Sequence, residues 1–253
     1  MHMESGQTVL SLSDGMGSGE KAEKESNRII GLLEQLLSTG FNRQSAIRLI
    51  HSVVLSGSEP HTYSTLDLAT LDLFNGKCEL IKMGAAASFI KNGPDVKKIT
   101  SEALPPGVLP EPENEVKTVE MVHGDMLVMM SDGVLMGLGQ DDDRKEEKMA
   151  EFLKSCQAVN PQELANAILN HAMAACHYEA EDDMTVLVCG LYLIAAYSPY
   201  KVRILCILSI TYSVNPLHFN PPPTLHSTHF LHIAQNTCLI LQLRFAVKTE
   251  SIS

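Results

Sequence analysis

Three short stretches of this chain each place a carboxylate where an apolar run meets a turn. Leu12-Ser13-Asp14-Gly15-Met16-Gly17-Ser18-Gly19 sets one acid ahead of three closely spaced glycines. Leu127-Val128-Met129-Met130-Ser131-Asp132-Gly133 ends a second apolar run in Asp-Gly, and Glu181-Asp182-Asp183 opens the run Met184-Thr185-Val186-Leu187-Val188. Glycine leaves the backbone free to take positive φ and lets main-chain groups approach a ligand closely. Carboxylates with nearby peptide carbonyls suit a hard divalent cation such as Mg2+ or Mn2+. Two such ions about 3.5–4 Å apart are a recurring device for hydrolysing phosphate esters: a water between them loses a proton more easily, and they hold the non-bridging oxygens as charge builds. No chain nucleophile is then needed, and no Gly-x-Ser-x-Gly or Cys-x5-Arg pattern offers one. Crowded carboxylates raise one another's pKa, so the site is expected to be loose without its cations.

Acids this far apart in sequence converge only if strands of a folded sheet carry them to one place. Gln7 to Leu12 reads as a strand delivering Asp14 into the glycine turn. Residues 20–39 turn helical, with Ala22, Ile29, Ile30, Leu33, Leu36 and Leu37 near 3.6 spacing and Gly40 as the stop. A second helix runs from Arg43 to about Leu55 on Ala46, Ile47, Ile50, Val53 and Val54; His51 falls beside that face and reads as a solvated or edge histidine. Tyr63–Leu73 and Cys78–Met83 form a hairpin about Asn75-Gly76. On it, Asp72 reads as a solvent-side residue, and Asp67 is left open between that role and a ligand. Gly84-Ala85-Ala86-Ala87 brings the backbone close to something, Ser88–Ile90 is a further strand turned at Asn92-Gly93, and 101–118 is a Pro- and Glu-rich surface loop. Met126–Met130 delivers Asp132, Gly137–Lys148 is a charged mobile loop, and a helix occupies about 146–156. The next helix opens on Asn160 as N-cap, Pro161 and a capping-box Glu163, with Leu164, Ile168 and the Ala172/Ala175 side inward. Strand Met184–Val188 closes the body. The order predicts an α/β (α+β) fold with antiparallel hairpins, a sheet sandwich flanked by helices.

The 253 residues carry a formal charge of −11, distributed unevenly. Residues 1–190 hold 15 Lys+Arg against 29 Asp+Glu (−14), and residues 191–253 hold 4 against 1 (+3). A body this acidic excludes nucleic acid as a partner, because no basic stripe is present to release counterions. Cys78, Cys156, Cys176, Cys189, Cys206 and Cys238 show neither a Cys-x-x-Cys pair nor zinc spacing and read as reduced thiols of a cytoplasmic protein. The first ten residues have no signal-peptide pattern, and no uncharged apolar run of about 20 residues occurs before residue 184. After residue 190 a single acid, Glu250, remains, and Asn220-Pro221-Pro222-Pro223 interrupts any regular element. Residues 1–190 are expected to be the functional domain. Residues 191–253 are an unassigned tail with three competing readings, a membrane-proximal tail, an added partner-binding segment, or non-native or disordered sequence, of which the last is favoured.

Ser13-Asp14-Gly15-Met16-Gly17-Ser18-Gly19, Glu25-Ser26, Tyr63-Ser64-Thr65-Leu66-Asp67-Leu68, Met130-Ser131-Asp132-Gly133 and Asp182-Asp183-Met184-Thr185-Val186 occur in an order that resembles the bacterial PPM/PP2C-type serine phosphatases, most nearly the phosphatase domain of the stage II sporulation protein E family. The resemblance covers roughly residues 7–190. It implies an αββα sandwich, two Mn2+ or Mg2+ ions, and hydrolysis of a phosphoserine on a regulatory protein of the anti-sigma factor antagonist type through a metal-bridged water. By position, Asp14 would bridge the two ions and the Gly15 carbonyl would ligate one. Asp132 and Asp182 would hold the other, Asp183, at a position where many relatives have Asn, counts among the metal residues, and Asp14, Asp132 and Asp182 would be the catalytic residues. Such phosphatases also carry an earlier strand with an acidic residue, so the natural start is expected upstream and this chain is expected to be a weak phosphatase or none. Helices 20–39 and 43–55 follow the Asp14 loop directly and are expected to be a contact for self-association or a partner.

Two rivals remain. A P-loop requires Gly-x4-Gly-Lys-Ser/Thr, and Gly19-Glu20-Lys21-Ala22 lacks both the Gly-Lys step and the hydroxyl. The stronger alternative is a catalytically inactive domain that keeps the fold for regulation or binding. One Asp-Gly is commonly only a turn, but three acid sites each abutting an apolar strand are poorly explained that way.

Overall fold

The computed structural model describes residues 6–16, 20–57, 63–113, 115–139, 144–180, 182–195, 202–213 and 237–239. Two five-stranded sheets lie face to face between two layers of helices. The first sheet contains β1 (Gln7–Asp14), β2 (Leu66–Asp72), β3 (Lys77–Met83), β6 (Val116–Glu120) and β10 (Thr237–Leu239), in the order β10-β1-β2-β3-β6. The second contains β4 (Ser88–Asn92), β5 (Asp95–Ile99), β7 (Met126–Met130), β8 (Met184–Ala195) and β9 (Val202–Ser213), in the order β5-β4-β7-β8-β9. Every pairing is antiparallel. Helices α1 (Glu20–Ser38) and α2 (Arg43–Leu55) cover the first sheet, and α3 (Asp132–Met136), α4 (Lys145–Ser155) and α5 (Pro161–Ala175) cover the second. The expected αββα sandwich is what the chain forms.

Period-two alternation explains the layering, because successive strand side chains point to opposite faces. Along β7, Val128 and Met130 pack against the helices while Leu127 and Met129 face the other sheet. On β2, Leu66 and Leu68 lie under α1 and α2, and Ala69 and Leu71 join the core between the sheets. The helix ends follow their local chemistry. Gly40 takes φ +90° and α1 stops there, with the Phe41 N–H reaching the Leu36 carbonyl at 3.0 Å. Asn42 caps α2 by accepting from the Ser45 N–H, and Asn160 caps α5 by accepting from the Glu163 N–H ahead of Pro161. Asp72, read from sequence as a solvent-side residue, also shapes the turn at Gly76: its carboxylate accepts from the Phe74 N–H and the Asn75 amide.

Several details differ from the sequence reading. His51 is not at an edge but 3% exposed, and its Nδ1 accepts a hydrogen bond from the Gly107 N–H at 3.2 Å. The Pro105-Pro106-Gly107 turn folds down onto α2, so the histidine lies under a loop the sequence placed at the surface. Gly84 approaches that same loop; a Cβ there would meet Pro105 Cγ at 2.4 Å. The surface loop ends before 116, where β6 pairs with β3; its alternation of exposed and half-buried positions carried no apolar signal. The segment after β7 opens with the short helix α3, while residues 140–143 of the expected mobile loop lie outside the described residues. Ala175 is exposed, and Leu169 and Met173 share the inner face of α5 with Leu164, Ile168 and Ala172. β8 continues to Ala195, past the expected boundary at residue 190, and β9 pairs along its length. Among the described residues no helix is long and apolar enough to cross a membrane.

Replacing His51 by alanine would leave the buried Gly107 N–H without its acceptor, a loss of about 1–3 kcal/mol. Urea denaturation of His51→Ala should show that loss with an unchanged m-value; undiminished stability would mean the contact contributes nothing.

Candidate metal centre

The two sheets bring their acids to one end of the sandwich. β1 ends at Asp14, and its pairing with β2 extends through an isolated bridge between Gly15 and Ser64. Around that bridge the Met16 N–H donates to the Tyr63 carbonyl and the Thr65 N–H to the Asp14 carbonyl, each at 2.8 Å. This is the pattern of a non-hydrogen-bonded antiparallel pair, in which the central residue's own N–H and C=O turn away from the partner strand. The Gly15 carbonyl is therefore not used by β2. From the second sheet, β7 ends at Met130, Ser131 is the N-cap of α3 and Asp132 its first residue. Asp182 and Asp183 immediately precede β8, which pairs with β7.

The two Ser-Asp-Gly triplets are built alike. Ser13 Oγ donates to the Thr65 carbonyl at 2.6 Å, and the Asp14 N–H donates to Thr65 Oγ1 at 2.8 Å. Ser131 Oγ donates to the Asp183 carbonyl at 3.1 Å and accepts from the Thr185 N–H at 2.9 Å. In both, the serine ties the turn to the next strand and leaves the aspartate to the open end. The glycine then permits a close approach. A Cβ on Gly15 would meet the Ala22 carbonyl oxygen at 2.2 Å, and one on Gly133 the Asp183 carbonyl oxygen at 2.4 Å. Neither glycine has positive φ, so their role is packing rather than the turn freedom read from sequence. Gly17 and Gly19 lie outside the described residues.

Electrostatics show that the acids face one another. Asp14 is 7% exposed, and its pKa is pushed up to about 9. Burial is the largest cause, followed by the charges of Asp132 and Asp182, contact with the Asp132 carboxyl, and the charge of Asp183. Two carboxyls in contact can hydrogen-bond only if one holds a proton, and Asp14 Oδ2 is buried with no donor among the described residues. Asp182 is also raised, first by burial and then by Asp132 and Asp183, against a hydrogen bond from the Asp183 N–H at 2.8 Å. Asp183 is buried and Asp132 is exposed, so the cluster runs from the core to the surface.

This donor set fits hard divalent cations: carboxylate oxygens, a carbonyl unused by its neighbouring strand, and a buried acceptor atom with no donor. Among the described residues no three His, Cys, Asp or Glu side chains form a ready-made ligand cluster. Asp67 does not belong to the site. It is 1% exposed and bound to Lys82 and Ser88 between the sheets, and burial raises its pKa against their pull. Ser64, Thr65 and Thr185 support the aspartates and were not singled out from sequence; their signal was adjacency to the Ser-Asp-Gly and Asp-Asp stretches.

Known proteins share this fold. A solved structure of the PP2C phosphatase domain with a fragment of the regulatory domain of SpoIIE from Bacillus subtilis matches with a TM-score of 0.68 and 37% identity, over 74% of this chain and 56% of that one. Another of that organism's phosphatase domain, presoaked with manganese, matches with a TM-score of 0.53 and 29% identity, over 78% and 92%. The class is thus that of PP2C-type protein phosphatase domains. More narrowly, the family model of stage II sporulation protein E matches residues 4–192, and the chain belongs to the SpoIIE family. It is 37% identical to stage II sporulation protein E of Bacillus subtilis (strain 168) over 180 residues, covering 71% of this chain and 22% of that protein. The chain thus spans about a fifth of the length of that relative.

The raised Asp14 pKa sets a pH dependence. Between the unfolded value near 4 and the folded value of about 9, the folded chain keeps a proton that the unfolded chain has lost. Metal-free stability should therefore be greatest below that window and fall as pH rises through it, by at most ~1.4 kcal/mol per pH unit for one group. Thermal melts in chelator from pH 5 to 8 should show the decline, and Asp14→Asn should flatten it. An equal slope in the variant would remove Asp14 as its source.

Proposed function

We propose that this chain is a divalent-cation-dependent protein phosphatase acting on phosphoserine, with residues 1–190 as its phosphatase domain. The observation that carries the reading is the convergence of Asp14 from one sheet with Asp132, Asp182 and Asp183 from the other. When bound, two divalent cations supply a more acidic water and electrostatic stabilisation of the phosphoryl oxygens. The chain's own part is to hold them. Asp14 would serve both ions and the Gly15 carbonyl would hold one of them. Asp132 and Asp182 would hold the other, with Asp183 in the same ligand set and its N–H donating to Asp182 Oδ1. Mn2+ and Mg2+ both match such oxygen donors.

The anionic cluster also discriminates. A free phosphate ester meets net repulsion until cations neutralise the acids, so substrate binding depends on cation loading. A phosphoserine on a folded regulatory protein, of the kind that antagonises an anti-sigma factor, is the substrate class that membership of this family favours. The exposed surface of α1 and α2, which lead away from the Asp14 turn, is where self-association or a partner would act on the site. Phe41, Leu49 and Leu55 stand more than two-fifths exposed there.

Hydrolysis of a phosphoserine peptide should require Mn2+ or Mg2+ and stop with chelator. Asp132→Asn should lower kcat by about two to three powers of ten, the size of effect seen when one electrostatic stabiliser of a transition state is lost. Phosphate release with saturating Mn2+ measures this. Equal rates for Asp132→Asn and the parent chain would refute the assignment, and no turnover by either would favour an inactive domain.

A further inference from the structure

A second polar group lies between the sheets at the same end of the sandwich. Asp67 on β2, Lys82 on β3 and Ser88 on β4 are each no more than 1% exposed. Lys82 Nζ donates to Asp67 Oδ2 and, at 2.8 Å, to Ser88 Oγ. Ser88 Oγ in turn lies 3.2 Å from Asp67 Oδ2. Asp67 and Lys82 face each other across the β2–β3 ladder of the first sheet, whereas Ser88 belongs to the second. The group is therefore a polar link across an otherwise apolar interface formed by residues such as Leu12, Leu80, Ile90 and Met129.

Its position is informative. Asp67 is paired with Leu12, two residues before Asp14 on β1. Ser88 begins β4, whose next residue, Phe89, pairs with Val128 on the strand that leads to Asp132. The link thus joins the strand neighbouring the first acid to the strand neighbouring the second. A buried ion pair adds little net stability, since desolvation offsets its attraction, and well-packed apolar residues often serve stability as well or better. A mixed core of this kind is better explained by geometry: directed hydrogen bonds fix a separation and register that interchangeable apolar contacts leave looser.

Building on the carboxylate site described above, we propose that Asp67, Lys82 and Ser88 are positioning residues that set the spacing between the two sheets, and hence between Asp14 and the Asp132–Asp182 pair, for cation binding. The three do not touch the site. Lys82 also keeps one positive group beneath a mouth where every described titratable ligand is acidic. Support of this indirect kind for metal ligands is typically worth about 10–100-fold in affinity.

The test uses the full chain and four variants. Asp67→Leu/Lys82→Met replaces the pair by apolar groups, Ser88→Ala removes the one cross-sheet hydroxyl, Ser88→Thr keeps it, and Asp132→Asn controls for the site. Mn2+ titration calorimetry, metal-free melting temperature, and kcat and KM on para-nitrophenyl phosphate are measured together. The double variant should melt no lower than the parent yet bind Mn2+ at least about tenfold more weakly. Ser88→Ala should lose affinity in the same direction, with kcat at saturating Mn2+ recovering, and Ser88→Thr should stay near the parent. Folded variants binding Mn2+ within twofold of the parent would overturn the proposal. So would affinity losses that merely follow losses of melting temperature. If the parent and Asp132→Asn bind Mn2+ alike, the carboxylate site itself is wrong, and amide exchange at Asp14 and Thr65 without metal then decides. Faster exchange in the double variant at equal melting temperature supports a positioning role, and unchanged exchange rejects it.

Discussion

Like charges held close together govern this structure. Two unit charges 4 Å apart repel by ~4 kcal/mol at an effective dielectric of 20, several times what burial of one methylene contributes. The fold gathers Asp14, Asp132, Asp182 and Asp183 from two different sheets at one open end. It cannot remove that repulsion, and the protonation of Asp14 to about pH 9 is how the metal-free protein accommodates it. In the proposed reading a cation would take the place of the proton with a charge that the acids share. Retaining so unfavourable a cluster in the metal-free fold makes sense for a site built around positive ligands.

What resists the repulsion is fixed backbone on either side of the mouth. Each Ser-Asp-Gly triplet spends its hydroxyl on a neighbouring strand and its missing Cβ on contact with a carbonyl oxygen. The aspartate carboxylate and the Gly15 carbonyl are left to the open end, and the aspartate's direction is set by the hydrogen-bonded backbone around it. Behind the frame, Leu10, Leu12, Leu127, Met129 and Leu187 close the space between the sheets.

The layered fold was legible because period-two runs such as Leu127–Met130 and period-3.6 runs such as Ile29–Leu37 state which faces are apolar. The acids were legible because each abuts one of those runs. Buried lysines were not. Lys82 and Lys91 are both 1% exposed, and nothing local in the sequence announces the Asp67 carboxylate or the Leu153 carbonyl that receives them. His51 was misread for the same reason: its cover is a loop 56 residues away. β6 was missed because Val116-Lys117-Thr118-Val119-Glu120 is an edge strand with little to bury, and edges carry charge to discourage pairing. In each case the deciding partner is distant, and propensity reads only neighbours.

The bonds that orient the aspartates span long stretches of chain. Those at Asp14 reach across 51 residues and those at Ser131 across 52. Loop-closure entropy must be met before contacts of such separation return anything, so they belong to the late part of folding. The mouth is then the last region to acquire its geometry and the first to lose it when the sandwich opens. Helices and hairpins form while the acids are still far apart and fully hydrated, so mutual repulsion is felt only at final docking of the sheets. An ion that joins at that moment acts on the closing step itself, and its effect would be read in the unfolding rate before it is read in turnover.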